Sequence, residues 1–156
     1  MKHMKWIVCV FLAAGIFGKL SVFGTDVAKL QPVEVVRVSN CGDTVVIETD
    51  TGSSGAGENV ASALAALKQT AQGIVFLDTA EYLIVSENMV DRIHELEAYL
   101  RPGCSICREK GNTDLKKAAS FLMVHDPNVT LKDYQAGIKK IPILKTWEGK
   151  MILANG

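Results

Sequence analysis

The segment Ile74–Val85, "IVFLDTAEYLIV", decides the fold. It holds two dense apolar runs, Ile74–Leu77 and Tyr82–Val85, separated by "DTAE". A run apolar at successive positions leaves neither face of a strand for water, which predicts central rather than edge strands. Downstream, "SENMVDRIHELEAYLRPG" sets Met89, Ile93, Leu96 and Leu100 on one helical stripe, and Pro102 and Gly103 stop it. Asn88 and Asp91 fit an N-cap and N3 pair. Upstream, "VEVVRV" (Val33–Val38) and "TVVIET" (Thr44–Thr49) are β-branched runs joined by "SNCGD", which reads as a hairpin. "ENVASALAALKQTAQG" recurs at Val60, Leu64, Leu67 and Ala71, a helix with Gly73 at its C-terminal stop.

The remainder follows the same rules. "CSICREKGN" reads as a short strand and turn, and "TDLKKAASFLMV" as a helix buried through Leu115, Ala118, Ala119 and Leu122. "TLKDYQAGI" is a shorter helix, and "IPILKTWEGKMILA" a strand pair turning at Glu148 and Gly149. Strands in hairpins interleaved with helices predict an α+β domain, a mixed β-sheet with helices packed on it.

At 156 residues the chain is long enough for one domain with its own core. Residues 1–24 stand apart. "MKHMK" is basic, and the thirteen residues "WIVCVFLAAGIFG" (Trp6–Gly18) carry no charge. That length suits a secretory signal cleaved after Gly24, with an uncleaved membrane anchor running to Phe23 as the alternative. Either reading predicts an extracytoplasmic domain over 25–156, secreted or tethered to the outer face of the cytoplasmic membrane. Residues 25–156 carry 14 basic and 17 acidic side chains, a formal charge of −3. The sign divides: 25–107 sums to −7 and 108–156 to +4. A net negative domain speaks against a nucleic-acid partner.

Three motifs bear on chemistry. "TGSSGAGENV" (Thr51–Val60) has the glycine spacing of a phosphate-binding loop, but Glu58 and Asn59 stand where lysine and a hydroxyl residue are needed. Val60 occupies the third-glycine position of a dinucleotide fingerprint, so no nucleotide is expected and the stretch reads as a strand-to-helix loop. "RPGCSIC" offers a C-x-x-C pair. Thioredoxin-like proteins place such a pair at a helix N-terminus, and "KKIPILKTWEGK" resembles their isoleucine–proline segment. On that alternative reading Cys104 is the nucleophile of a thiol–disulfide oxidoreductase, Cys107 the resolving thiol and Pro142 a cis-proline beside them. The competing reading is a pair of semi-buried thiols, or a simple disulfide, on a strand. A zinc site would have to recruit Cys41, His94 or His125 to Cys104 and Cys107, and no second C-x-x-C or H-E-x-x-H supports it. Asp78 interrupts the two apolar runs as a turn residue or a functional carboxylate. No catalytic set, cofactor or metal is expected.

"GENVASALAALKQTAQGIVFLDTAEYLIVSENMVDRIHELEAYLRPG" (Gly57–Gly103) resembles the N-terminal domain of the Ger(x)C family, the C subunits of bacterial spore germinant receptors. The resemblance rests on Gly57, Ala63, Leu67, Phe76, Leu83–Val85, Glu87, Leu96 and Leu100–Pro102, then on a Lys110–Gly111 turn leading into a helix. It covers roughly residues 33–123. It implies a non-enzymatic protein-interaction domain of the spore germination or sporulation envelope. Its implied partners are membrane subunits of a receptor-like complex or other envelope proteins. Two departures stand out. Family members carry a lipid-attachment cysteine just after the apolar segment, whereas no cysteine follows Gly18 until Cys41. They also continue into further domains.

Overall fold

The computed structural model describes residues 30–138 and 140–156; the signal or anchor segment, with Cys9 and Gly24, lies outside the described residues. The predicted hairpin anchors the sheet from one side. Strand β2 (Val35–Cys41) pairs antiparallel with β3 (Thr44–Thr49) from Val36↔Thr49 to Cys41↔Thr44. Gly42 takes φ +63 in the turn, a conformation that favours glycine. Beside β2 on its other edge runs β6 (Tyr82–Ser86), parallel, then β7 (Ser105–Lys110) and β8 (Ile143–Trp147), also parallel. A second hairpin joins β8 to β9 (Lys150–Ala154). With β4 (Ser54–Gly57) the sheet has, among the described residues, seven strands in the order β4-β3-β2-β6-β7-β8-β9. The mixed sheet and α+β class are as the sequence predicts.

Helices close both faces. On one face lie α1 (Val60–Thr70) and a 3₁₀ segment (Glu87–Leu96), which bury Leu64, Leu67, Met89, Ile93 and Leu96 against Val36, Ile47, Leu83 and Ile106. On the other face α2 (Leu115–Leu122) buries Ala118, Ala119 and Leu122 against Val35, Ile84, Cys107 and Leu144. A short α3 (Leu131–Gln135) follows, capped reciprocally by Thr130 and Asp133, before the chain enters β8. The strand alternation explains this division: even and odd positions of β6 and β7 feed opposite cores.

Three local expectations change. Ile74–Phe76 is a strand, β5, but it does not enter the main sheet. It pairs parallel with β1 (Leu30–Pro32), leaving Ile74 44% and Phe76 39% exposed. A 3₁₀ turn at Leu77–Thr79 ends it after three residues, and the Thr79 hydroxyl holds that turn against Val33 N–H and Phe76 C=O. Asp78 is exposed within this turn. Second, the Met89–Leu96 stripe is wound as a 3₁₀ helix, whose three-residue turn eclipses Arg92 and Glu95 in a 2.6 Å ion pair. Asn88 does not cap it; its amide reaches back to the Asn40 carbonyl at 3.2 Å. Third, the glycine-rich stretch is not a loop throughout. Ser54–Gly57 is β4, paired with β3, and its glycines let α1 lie directly on the strand. A Cβ on Gly55 would stand 2.2 Å from Leu67 N and 2.3 Å from Ala63 O, both backbone atoms that cannot step aside. Asn59 and Ser62 then cap α1 reciprocally, so the helix starts where the strand is tightest.

Gly55→Ala is therefore expected to destabilise the fold by about 1–3 kcal/mol, the cost of overpacking against rigid neighbours. Gly103→Ala, where nothing lies within 4 Å of the new methyl, serves as the neutral control in urea unfolding.

Candidate functional site

Cys104 and Cys107 are the first residues to place. Cys104 immediately precedes β7 and Cys107 lies within it, so no helix begins at the pair. Three residues apart on extended backbone, the two thiols point to opposite faces. Cys104 joins the core under α1 and the 3₁₀ segment, and Cys107 joins the core under α2. Both are fully buried and free. Burial pushes the Cys104 thiol up to about 12, and burial, then the charge of Glu109, pushes Cys107 up as well. Pro142 sits beside the far end of β7, where its carbonyl accepts from Arg108 N–H at 2.8 Å, and no peptide bond among the described residues is cis. The redox arrangement of Cys104, Cys107 and Pro142 is thus corrected: a sheet separates the two sulfurs, and their environment favours the thiol over the reactive thiolate.

The remaining metal candidates are dispersed. Cys41 is exposed at the end of β2, His94 is exposed on the 3₁₀ segment, and His125 stacks on Phe121 with ring centroids 4.4 Å apart. No group of three His, Cys, Asp or Glu side chains converges among the described residues.

A charged cluster crosses the sheet beneath an open cleft of about 620 Å³. Arg37 of β2 is only 8% exposed, and its register partner on β3 is Glu48. The guanidinium donates from Nε and Nη2 to one Glu48 oxygen at 2.9 and 2.7 Å, and from Nη1 to Thr113 C=O at 2.6 Å. Glu109 of β7 lies 3.7 Å from Nη1 and accepts from the Thr113 N–H and hydroxyl. The chain between β7 and α2 is thereby tied to the sheet. Asp114 caps α2 one residue later, and hydrogen bonds from the helix backbone hold its carboxyl below the usual carboxylate range. Each of the three guanidinium nitrogens of Arg37 has a partner within the fold, so the cluster acts as an internal clamp.

The other polar surface lies at the β7–β8–β9 end. Lys110, Lys145 and Ile152 form one row across the three strands, since Lys110 pairs with Lys145 and Lys145 with Ile152. The next row pairs Trp147 with Lys150. Trp147 is 61% exposed and Ile152 36%, on the face opposite the α2 core. None of these three lysines makes an ion pair among the described residues. Adjacent like charges on paired strands cost stability, and here they surround a large exposed aromatic. The turn residues predicted from the sequence, Glu148 and Gly149, adopt φ +49 and +75, which fixes this two-residue hairpin register.

Comparison of the chain with protein-family models, curated proteins and solved structures returned no match. Among the described residues no helix is long and apolar enough to cross a membrane.

Two outcomes follow from the buried groups. A thiol kept neutral by the fold costs nothing below its ordinary value near 9. Above that pH the unfolded chain ionises and the native thiol does not, so stability falls from about pH 9 towards about pH 12, by roughly 1.4 kcal/mol per unit per thiol. Replacing both buried cysteines by alanine should flatten that slope in denaturant titrations at pH 8–10.5, while alkylation of native protein labels Cys41 ahead of either. Arg37→Ala should cost about 3–5 kcal/mol by stranding Glu109, and Arg37→Met with Glu109→Leu should recover much of the loss.

Proposed function

We propose that this chain is a non-enzymatic extracytoplasmic interaction domain of the spore germination or sporulation envelope type, acting by contact with membrane-associated or other envelope proteins. The observation that carries the interaction reading is the Trp147–Ile152 face, an exposed aromatic–aliphatic pair on a sheet surface that the domain's own helices leave open. Tryptophan is a costly residue to expose and a frequent anchor of protein interfaces. The germination context rests on the sequence resemblance. The positions carrying it have a consistent physical use here: Ala63 and Leu67 seat α1 on Gly55 and Gly57, and Leu83–Val85 fill the central strand. Extracytoplasmic placement rests on the charge-free Trp6–Gly18 segment behind a basic start.

The test is complementation of a deletion strain with the full-length chain, reading the optical-density drop of germinating spores. Trp147→Ala with Ile152→Ser, both surface changes, should keep the melting temperature within about 2 °C. It should cost at least about tenfold in germination rate, the scale of a lost interface anchor. Cys104→Ala with Cys107→Ala, once folded, should retain the response. Loss with the cysteine variant and none with the surface variant would contradict the reading.

A further inference from the structure

We infer that the open edge of β9 receives an extended, acidic protein segment as an added strand. The inference rests on the interaction reading and names the kind of partner. Strand β9 ends the sheet order, and β8 is its sole strand partner among the described residues. Among the described residues, one row of its backbone donors and acceptors is therefore left without a strand partner. Its sequence, "KMILA", has no proline, and the strand has no bulge in its register with β8, so two common protections of an edge are missing. Such an edge offers main-chain hydrogen bonds to an incoming strand, with side-chain specificity set by alternation.

The two faces of that edge differ. On one, Lys150 and Ile152 stand beside Trp147 and Lys145, with Lys110 completing the row. On the other, Met151 and Leu153 are partly buried against the α2 core. An added strand thus meets cations on one side and an apolar flank on the other. The matching segment alternates carboxylates with aliphatic residues. The charge also argues against self-pairing: two β9 edges brought together would crowd their lysines. A lipid surface fits less well, because Glu148 occupies the hairpin tip next to Trp147 and would approach anionic headgroups first.

The experiment uses fluorescein-labelled ten-residue probes and the full-length protein, read by anisotropy. The probes are an alternating glutamate–valine peptide, the same peptide with a central proline, and its lysine–valine counterpart. Vesicles of phosphatidylcholine with phosphatidylserine are assayed in parallel by flotation. The acidic peptide is expected to bind, to weaken on adding salt, and to lose at least about tenfold in affinity to a Lys145→Glu, Lys150→Glu variant of unchanged melting temperature. The proline peptide should bind at least about tenfold more weakly, because it cannot complete the ladder. Equal binding of the proline peptide, indifference to charge reversal, lysine-dependent capture by vesicles alone, or lysine-dependent self-association would each overturn the inference. If the acidic peptide fails while the Trp147–Ile152 variant still abolishes germination, the added strand falls and the interaction reading stands. If both fail, both fall.

Discussion

Burial of β6 on both faces is the constraint on which the molecule depends. Leu83 and Val85 fill one core and Tyr82 and Ile84 the other, while β2 and β7 saturate both edges of the strand with hydrogen bonds. A strand with no solvent face must have helices above and below it. That requirement places α1 and the 3₁₀ segment on one side and α2 on the other. The parallel neighbours follow too, because each return to the sheet needs a crossover that carries a helical segment.

The same constraint disposes of the cysteines. Once β7 becomes a central strand, the odd spacing of Cys104 and Cys107 sends them into different cores, where each serves as a small apolar side chain. It also explains why charge is admitted at Arg37. The β7–α2 connection crosses the face of β2 beside Arg37. The guanidinium clamp to Glu48, Glu109 and Thr113 holds the β7–α2 connection over it. Breaking one partner is costly, whereas the whole cluster adds little over apolar packing. Its role is positional.

The sequence made the elements legible wherever a signal was local. The hairpins at Gly42 and Glu148–Gly149, the stripe of α1, and the apolar runs around Leu83 and Ile106 could be read because turn chemistry and periodicity act over a few residues. What escaped was set by contacts distant in sequence. Glycines that look like a flexible loop became β4 because α1 needed room above them, a condition visible only once helix and strand are stacked. Ile74–Phe76 reads like Tyr82–Ser86, yet β1 captures it outside the main sheet. The candidate face was half legible. A two-residue turn already implies Trp147 beside Lys150 and Lys145 beside Ile152, whereas the Lys110–Lys145 pairing joins strands 35 positions apart and leaves no local trace.

The proposed interaction role is tested most directly at the Trp147–Ile152 surface. The decisive measurement is photo-crosslinking in the native host from a benzophenone side chain placed at position 152, with position 78 as the exposed control in a different part of the fold. The account predicts a discrete protein adduct from 152 that is missing from 78 and reduced by glutamate at Lys145 and Lys150. Equal adducts from both positions, or none from 152 in a protein that retains function, would contradict it.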